Sequence, residues 1–184
     1  MKTSLPAFAL GLLLSASSAS AAVYSRGHAD FGIGYDGGFE LHHHIHDGST
    51  VNGSAIVGDA EFAPGDLTVL VPFITENRPA GAQYDFLGVS AGIPVWTLPE
   101  VENVNKPFYG VGSEELDALD FTGQLSLQLL SVVSAPLGGD FSLWQDNGGS
   151  PVVRFATSNG VDGSDSFLLT PGGHEHYNWS FTKA

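Results

Sequence analysis

The segment Gln124-Leu125-Ser126-Leu127-Gln128-Leu129 alternates polar and apolar residues without a break. A period of two is that of a β-strand with one face buried. The same short pattern recurs along most of the chain. Residues 29–35, 39–46, 67–74, 94–98, 139–144, 151–157, 166–170 and 177–182 all read as strands. Turn signals divide them, among them Asp36-Gly37-Gly38, Val51-Asn52-Gly53-Ser54, Pro136-Leu137-Gly138-Gly139 and Asp146-Asn147-Gly148-Gly149. No long segment carries the helical period. Ser113-Glu114-Glu115-Leu116 offers one helical turn with a serine N-cap, and residues 83–90 offer another. The expected fold is all-β: an antiparallel β-sandwich, jelly-roll-like, with long loops over 75–115 and at most short helical turns.

The first 22 residues stand apart. Lys2 precedes an apolar run over 5–14, and Ala19-Ser20-Ala21 fits a small-residue cleavage site. Residues 1–22 therefore read as a secretory signal peptide, too short in its apolar run to span a bilayer. Residues 23–184 read as a single β-sandwich domain, exported to the periplasm, cell surface or medium. The chain has no cysteine, so export brings no disulfides and burial alone must hold the domain.

The net charge is −14, and beyond Lys2 the only basic residues are Arg26, Arg78, Lys106, Arg154 and Lys183. Without a basic run, nucleic acid and anionic membrane surfaces are excluded as expected partners. An acidic surface does concentrate cations. There is no nucleophile elbow, no phosphate-binding loop and no calcium-loop spacing, and without cysteine there is no thiol nucleophile, so no residue is assigned a catalytic role.

The chemistry lies in histidine. His42-His43-His44-Ile45-His46 and His174-Glu175-His176 hold six of the seven histidines. In an extended segment His42, His44 and His46 share one face, as do His174 and His176. Imidazole is the commonest protein metal ligand. If the two strands lay side by side, His44, His46, His174 and His176 would offer four nitrogens to one ion, with His42 as an accessory ligand. That set suits zinc first, and copper or nickel if the geometry is flatter. Asp47 or Glu175 would serve as a carboxylate ligand or as a partner for an imidazole. His43 points to the opposite face and is expected in solvent. His28 lies apart from both clusters.

Two further readings stay open. Pro171-Gly172-Gly173-His174 resembles the second metal-binding motif of cupins and His44-x-His46 the first, which would make the chain a cupin-like metalloenzyme. Where cupins carry a Glu after the first pair, however, this chain has serine and threonine. In the other reading the histidines bind no metal and the domain is a structural or adhesive surface module.

Several blocks in order resemble a known family. They are 28–35, His44-Ile45-His46-Asp47, Phe86-Leu87-Gly88, 94–99, 112–116, 139–144 and 172–181. Together they resemble bacterial surface-anchored domains of the choice-of-anchor M type. The resemblance implies export and tethering by a C-terminal anchor. It also implies a place beside envelope metal-transport components, since some actinobacterial relatives sit alongside metal-type ABC transporters. It supplies no catalytic mechanism. Relatives continue after Phe181 with a turn, a final strand and the anchor, so the resemblance implies that residues 23–184 are a domain without its last strand and anchor.

Overall fold

The computed structural model describes residues 20–71, 75–133 and 138–183. The expected signal peptide lies outside them up to residue 19. So do residues 72–74 of one expected strand and part of the turn at 136–139. Among the described residues the regular structure is strand, interrupted by three short 3-10 turns.

The larger of two main sheets is organised by β1 (Ala22–Tyr35). Its second half pairs antiparallel with β2 (Phe39–Ile45), which in turn pairs with β5 (Ala60–Phe62). On the other side β1 pairs parallel with β9 (Pro107–Gly112), and β9 pairs antiparallel with β14 (His174–His176). The first half of β1 pairs with the hairpin β3 (Thr50–Val51) and β4 (Ser54–Ala55), and, in parallel, with β6 (Leu67–Val69). Asn52, at the hairpin turn, has φ +51°, as the Asn-Gly signal anticipates.

The second sheet is antiparallel throughout. Its order is β12 (Val152–Ala156), β11 (Phe141–Gln145), β15 (Asn178–Phe181), β8 (Pro94–Leu98) and β7 (Thr75–Asn77). A separate ribbon joins β10 (Leu125–Gln128) to β13 (Ser166–Leu169).

Alternation along β1 explains how the layers meet. Ala29 and Ile33 face inward and are buried, and so do Ile45 of β2 and Tyr109 and Val111 of β9. They meet Leu98, Phe141, Leu143 and Phe155 from the second sheet, with Trp179 packed against both halves of the core. Leu143 is wholly buried, and truncating it to alanine would cost about 2–5 kcal/mol. Trp144 is also buried and donates through Nε1 to Ser180 Oγ at 3.0 Å. The outward face of β1 carries His28, Asp30, Gly32 and Gly34, so the sheet's chemistry lies on the side away from the core.

Two local expectations change. Residues 75–115, besides the expected strand at 94–98, supply β7 and β9 where long loops were expected. Ser113 does not cap a helical turn. It is buried and donates to the carbonyls of Thr170 and Gly173 at 2.9 and 3.1 Å, clamping the turn before β14. The 3-10 turn follows at Ala118–Asp120, capped by Asp117, which accepts from the Leu119 N–H at 2.9 Å.

Candidate metal centre

Strand order decides which histidines meet. Along one row across the outer face stand His176 of β14, Gly110 of β9, Asp30 of β1, His44 of β2 and Glu61 of β5. Three strand spacings separate His176 from His44, roughly 14 Å at about 4.8 Å each. Two ligands of one zinc ion, each about 2 Å from it, lie within about 4 Å of each other. Imidazoles lean across part of such a gap, and by the positions of their ligand atoms His174 and His176 fall in one group and His42 and His44 in another.

His174 and His176 gather with His28 and Asp30. The Nε2 atoms of the three imidazoles form a triangle with edges of 3.4 Å (His28–His174), 2.8 Å (His174–His176) and 3.0 Å (His176–His28). Asp30 closes the group: Oδ1 is 3.1 Å from His174 Nε2 and Oδ2 is 3.4 Å from His28 Nε2. All four ligand atoms lie within 4.8 Å of one another. For zinc–nitrogen bonds of about 2.05 Å, the edge of a tetrahedron is about 3.3 Å. The donor set of three imidazoles and one carboxylate fits such an ion in chemistry as well as in size.

Hydrogen bonding alone does not satisfy this group. A neutral imidazole carries one N–H and one lone pair. Three Nε2 atoms in mutual contact cannot all be matched donor to acceptor, because at least one edge pairs two lone pairs or two protons. Asp30 is 1% exposed, and its Oδ1, though near His174, has no hydrogen-bonded partner. A buried acceptor left unmatched costs about 1–3 kcal/mol, more when charged. A cation at the centre would meet all four atoms at once.

Protons do not readily take that place. Burial, then the neighbouring His174 and His28, push the His176 imidazole down to about 3. Burial also lowers His28, against the opposing pull of Asp30. Both rings are therefore held neutral, the form that ligates.

Surrounding groups orient the four. His46 Nε2 donates to Asp30 Oδ2 at 3.0 Å, and its ring stacks on His28 with centroids 4.1 Å apart. His174 Nδ1 lies 3.4 Å from Glu114 Oε1, which favours the proton on Nδ1 and frees the Nε2 lone pair. Phe108 lies flat against His176, with ring planes 7° apart, and forms an apolar wall. No side chain intervenes at Gly110, so Asp30 and His176 meet above it; a Cβ there would collide with Asp30 Oδ1.

The remaining expected groups go elsewhere. His42 Nε2 is 2.8 Å and His44 Nδ1 3.4 Å from Glu115 Oε1. His43 does face the opposite side but is not in solvent: it is half-buried, with Nδ1 2.5 Å from the Tyr109 hydroxyl. Asp47 accepts from the Gly58 N–H at 2.6 Å in a turn, and Glu175 accepts from the Tyr177 hydroxyl at 2.6 Å. His28, Asp30 and Phe108 carried no spacing signal toward the His-x-His pairs. The available clue was that His28-x-Asp30 repeats the same-face spacing of those pairs.

No protein-family model, curated protein or solved structure matches this chain. Among the described residues its His, Asp and Glu groups could hold a metal ion. Among the described residues no helix is long and apolar enough to cross a membrane.

Proposed function

We propose that this is an exported, cell-surface domain that binds a transition metal through His28, Asp30, His174 and His176. Zinc is the first choice, with copper or nickel next, and the role is non-catalytic. The observation that carries the reading is the triangle of three Nε2 atoms, 2.8–3.4 Å on a side, beside a buried carboxylate oxygen with no hydrogen bond. Four converging protein ligands of this type suit a closed tetrahedral site, which favours zinc. A carboxylate in place of a sulfur ligand gives no preference for monovalent copper. The signal-like N-terminus supports export. The resemblance to surface-anchored domains supports a role in metal handling at the envelope, beside transport components. The acidic charge supports a cation as the partner, with no nucleic acid and no insertion into the membrane after signal cleavage.

The test is metal content of the tag-free protein by elemental mass spectrometry, before and after chelation and zinc reconstitution. Tightly held zinc, lost when His28 and His176 are both changed to glutamine, is the expected result. Absence of zinc after reconstitution at neutral pH would leave the structural or adhesive module as the better reading.

A further inference from the structure

A second set of ligands lies on the same sheet face, outside the centre just described. His42, His44, Glu61 and Glu115 each offer an atom within 4.8 Å of all the others. They come from three places in the chain: β2, β5 and the turn that follows β9. Glu115 Oε1 stands 2.8 Å from His42 Nε2 and 3.4 Å from His44 Nδ1, so one oxygen serves two imidazoles.

Three observations set this group apart from ordinary surface histidines. The first is its floor. Gly32 is the register partner of His42, and a Cβ there would run into the imidazole. The second is access. A cleft of about 480 Å³ opens onto the group and is lined by Asp36, Glu40, Glu61 and Glu115 beside His42. Four carboxylates around one opening make a local negative field that draws cations. The third is continuity. Ring centroids step 6.4 Å from His42 to His44, 4.7 Å from His44 to His46 and 4.1 Å from His46 to His28. An unbroken row of imidazoles thus joins this group to the inner centre.

We propose that His42, His44, Glu61 and Glu115 hold a second divalent transition-metal ion, more weakly than the inner centre, and that this outer site feeds the inner one. Its glutamates are exposed and must be ordered and desolvated on binding, whereas Asp30 is already buried in place. Passage inward exchanges one imidazole for the next, so the ion keeps its charge and no electron moves. The second ion stands on its own ligands; the feeding role rests on the inner site proposed above.

The test is calorimetric titration of the metal-free full chain with zinc chloride. Two equivalents are expected, with dissociation constants at least tenfold apart. Glu115→Gln and, separately, His42→Gln should each weaken only the second equivalent, by about tenfold or more, since even partners of ligands contribute 10–100-fold. Changing His28 and His176 together to glutamine should remove only the first. A single equivalent in the wild-type chain that is lost with His28 and His176 overturns the second site and leaves the inner reading standing. A tight equivalent that survives loss of His28 and His176 overturns the inner reading instead. For feeding, cobalt(II) is mixed rapidly with the protein at limiting concentration and its visible absorption band is followed. Glu115→Gln should slow loading of the inner site several-fold; an unchanged rate overturns the feeding role.

Discussion

Gly110 and Asp30 are register partners on adjacent parallel strands, and a methyl group on the first would occupy the place of the second's Oδ1. The contact ties strand pairing to ligand position. Gly110→Ala should therefore displace Asp30 or the facing His176, whose Cε1 would lie 3.0 Å from the new Cβ. The expected outcome is a fall in zinc affinity of about tenfold or more, with far-UV circular dichroism unchanged. Unchanged affinity would mean that Asp30 is not a ligand.

Asp30→Asn separates charge from shape. In the metal-free protein it removes a buried carboxylate that lacks a full set of partners, so stability should be unchanged or higher. Zinc affinity should nevertheless drop by more than tenfold. Thermal melts of both proteins, with and without zinc, read the two effects separately.

Zinc itself should stabilise the wild-type chain. A ligand present at 100 times its dissociation constant adds about 2.7 kcal/mol, or roughly 5–10 °C in Tm for a domain of this size. A melt that zinc does not move, at a concentration that saturates calorimetry, would show that the ion binds the unfolded chain equally well.

Acid should weaken the metal-free fold. Burial holds His176 down to about 3, and burial lowers His28 and His43 as well. In the unfolded chain these rings protonate near 6.5. Between that pH and about 3 the unfolded state binds more protons, so stability falls as pH falls. Above pH 6.5 both states hold neutral rings and no stability is lost through them. Tm measured without metal should decline from pH 6.5 to 5, before most carboxylates titrate, and His176→Gln should flatten that decline.

His43 provides an internal control within the same histidine run. Its Nδ1 meets the Tyr109 hydroxyl on the core side of the sheet. His43→Ala should cost about 1–2 kcal/mol, the order of a buried polar pair broken on one side. Zinc stoichiometry should stay as in the wild type. A variant that loses zinc but not stability would contradict the assignment of faces.

Much of the sheet was legible because alternation and turn chemistry are local. Strands β2, β8, β11 and β13 and the Asn52-Gly53 hairpin fall where period and turn residues put them. Strand β9 was hidden because its Gly110 and Gly112 read as loop, and strand glycines lack the side chains that make a pattern. Those residues are glycine where the ligands of neighbouring strands cross. The pairing of β14 with β9 rather than β2 was not readable from spacing, since strand order is a long-range property. The sequence therefore identified which histidines share a face. It did not reveal that β1 and β9 lie between the two His-x-His strands, or that His28 and Asp30 bridge part of that gap.

His28 and His176 lie 148 positions apart, yet their Nε2 atoms are 3.0 Å from each other. An ion between them would cross-link the first long strand to one of the last, in a chain with no cysteine to do so. Such a clasp closes a loop that encloses nearly the whole described domain, the kind of constraint that most restricts an unfolded chain. It also cannot close on a chain still emerging N-terminus first, before residues 174–176 have arrived. Metal capture at this site would thus mark the completed fold, and removing the ion would unfasten both ends of the domain together.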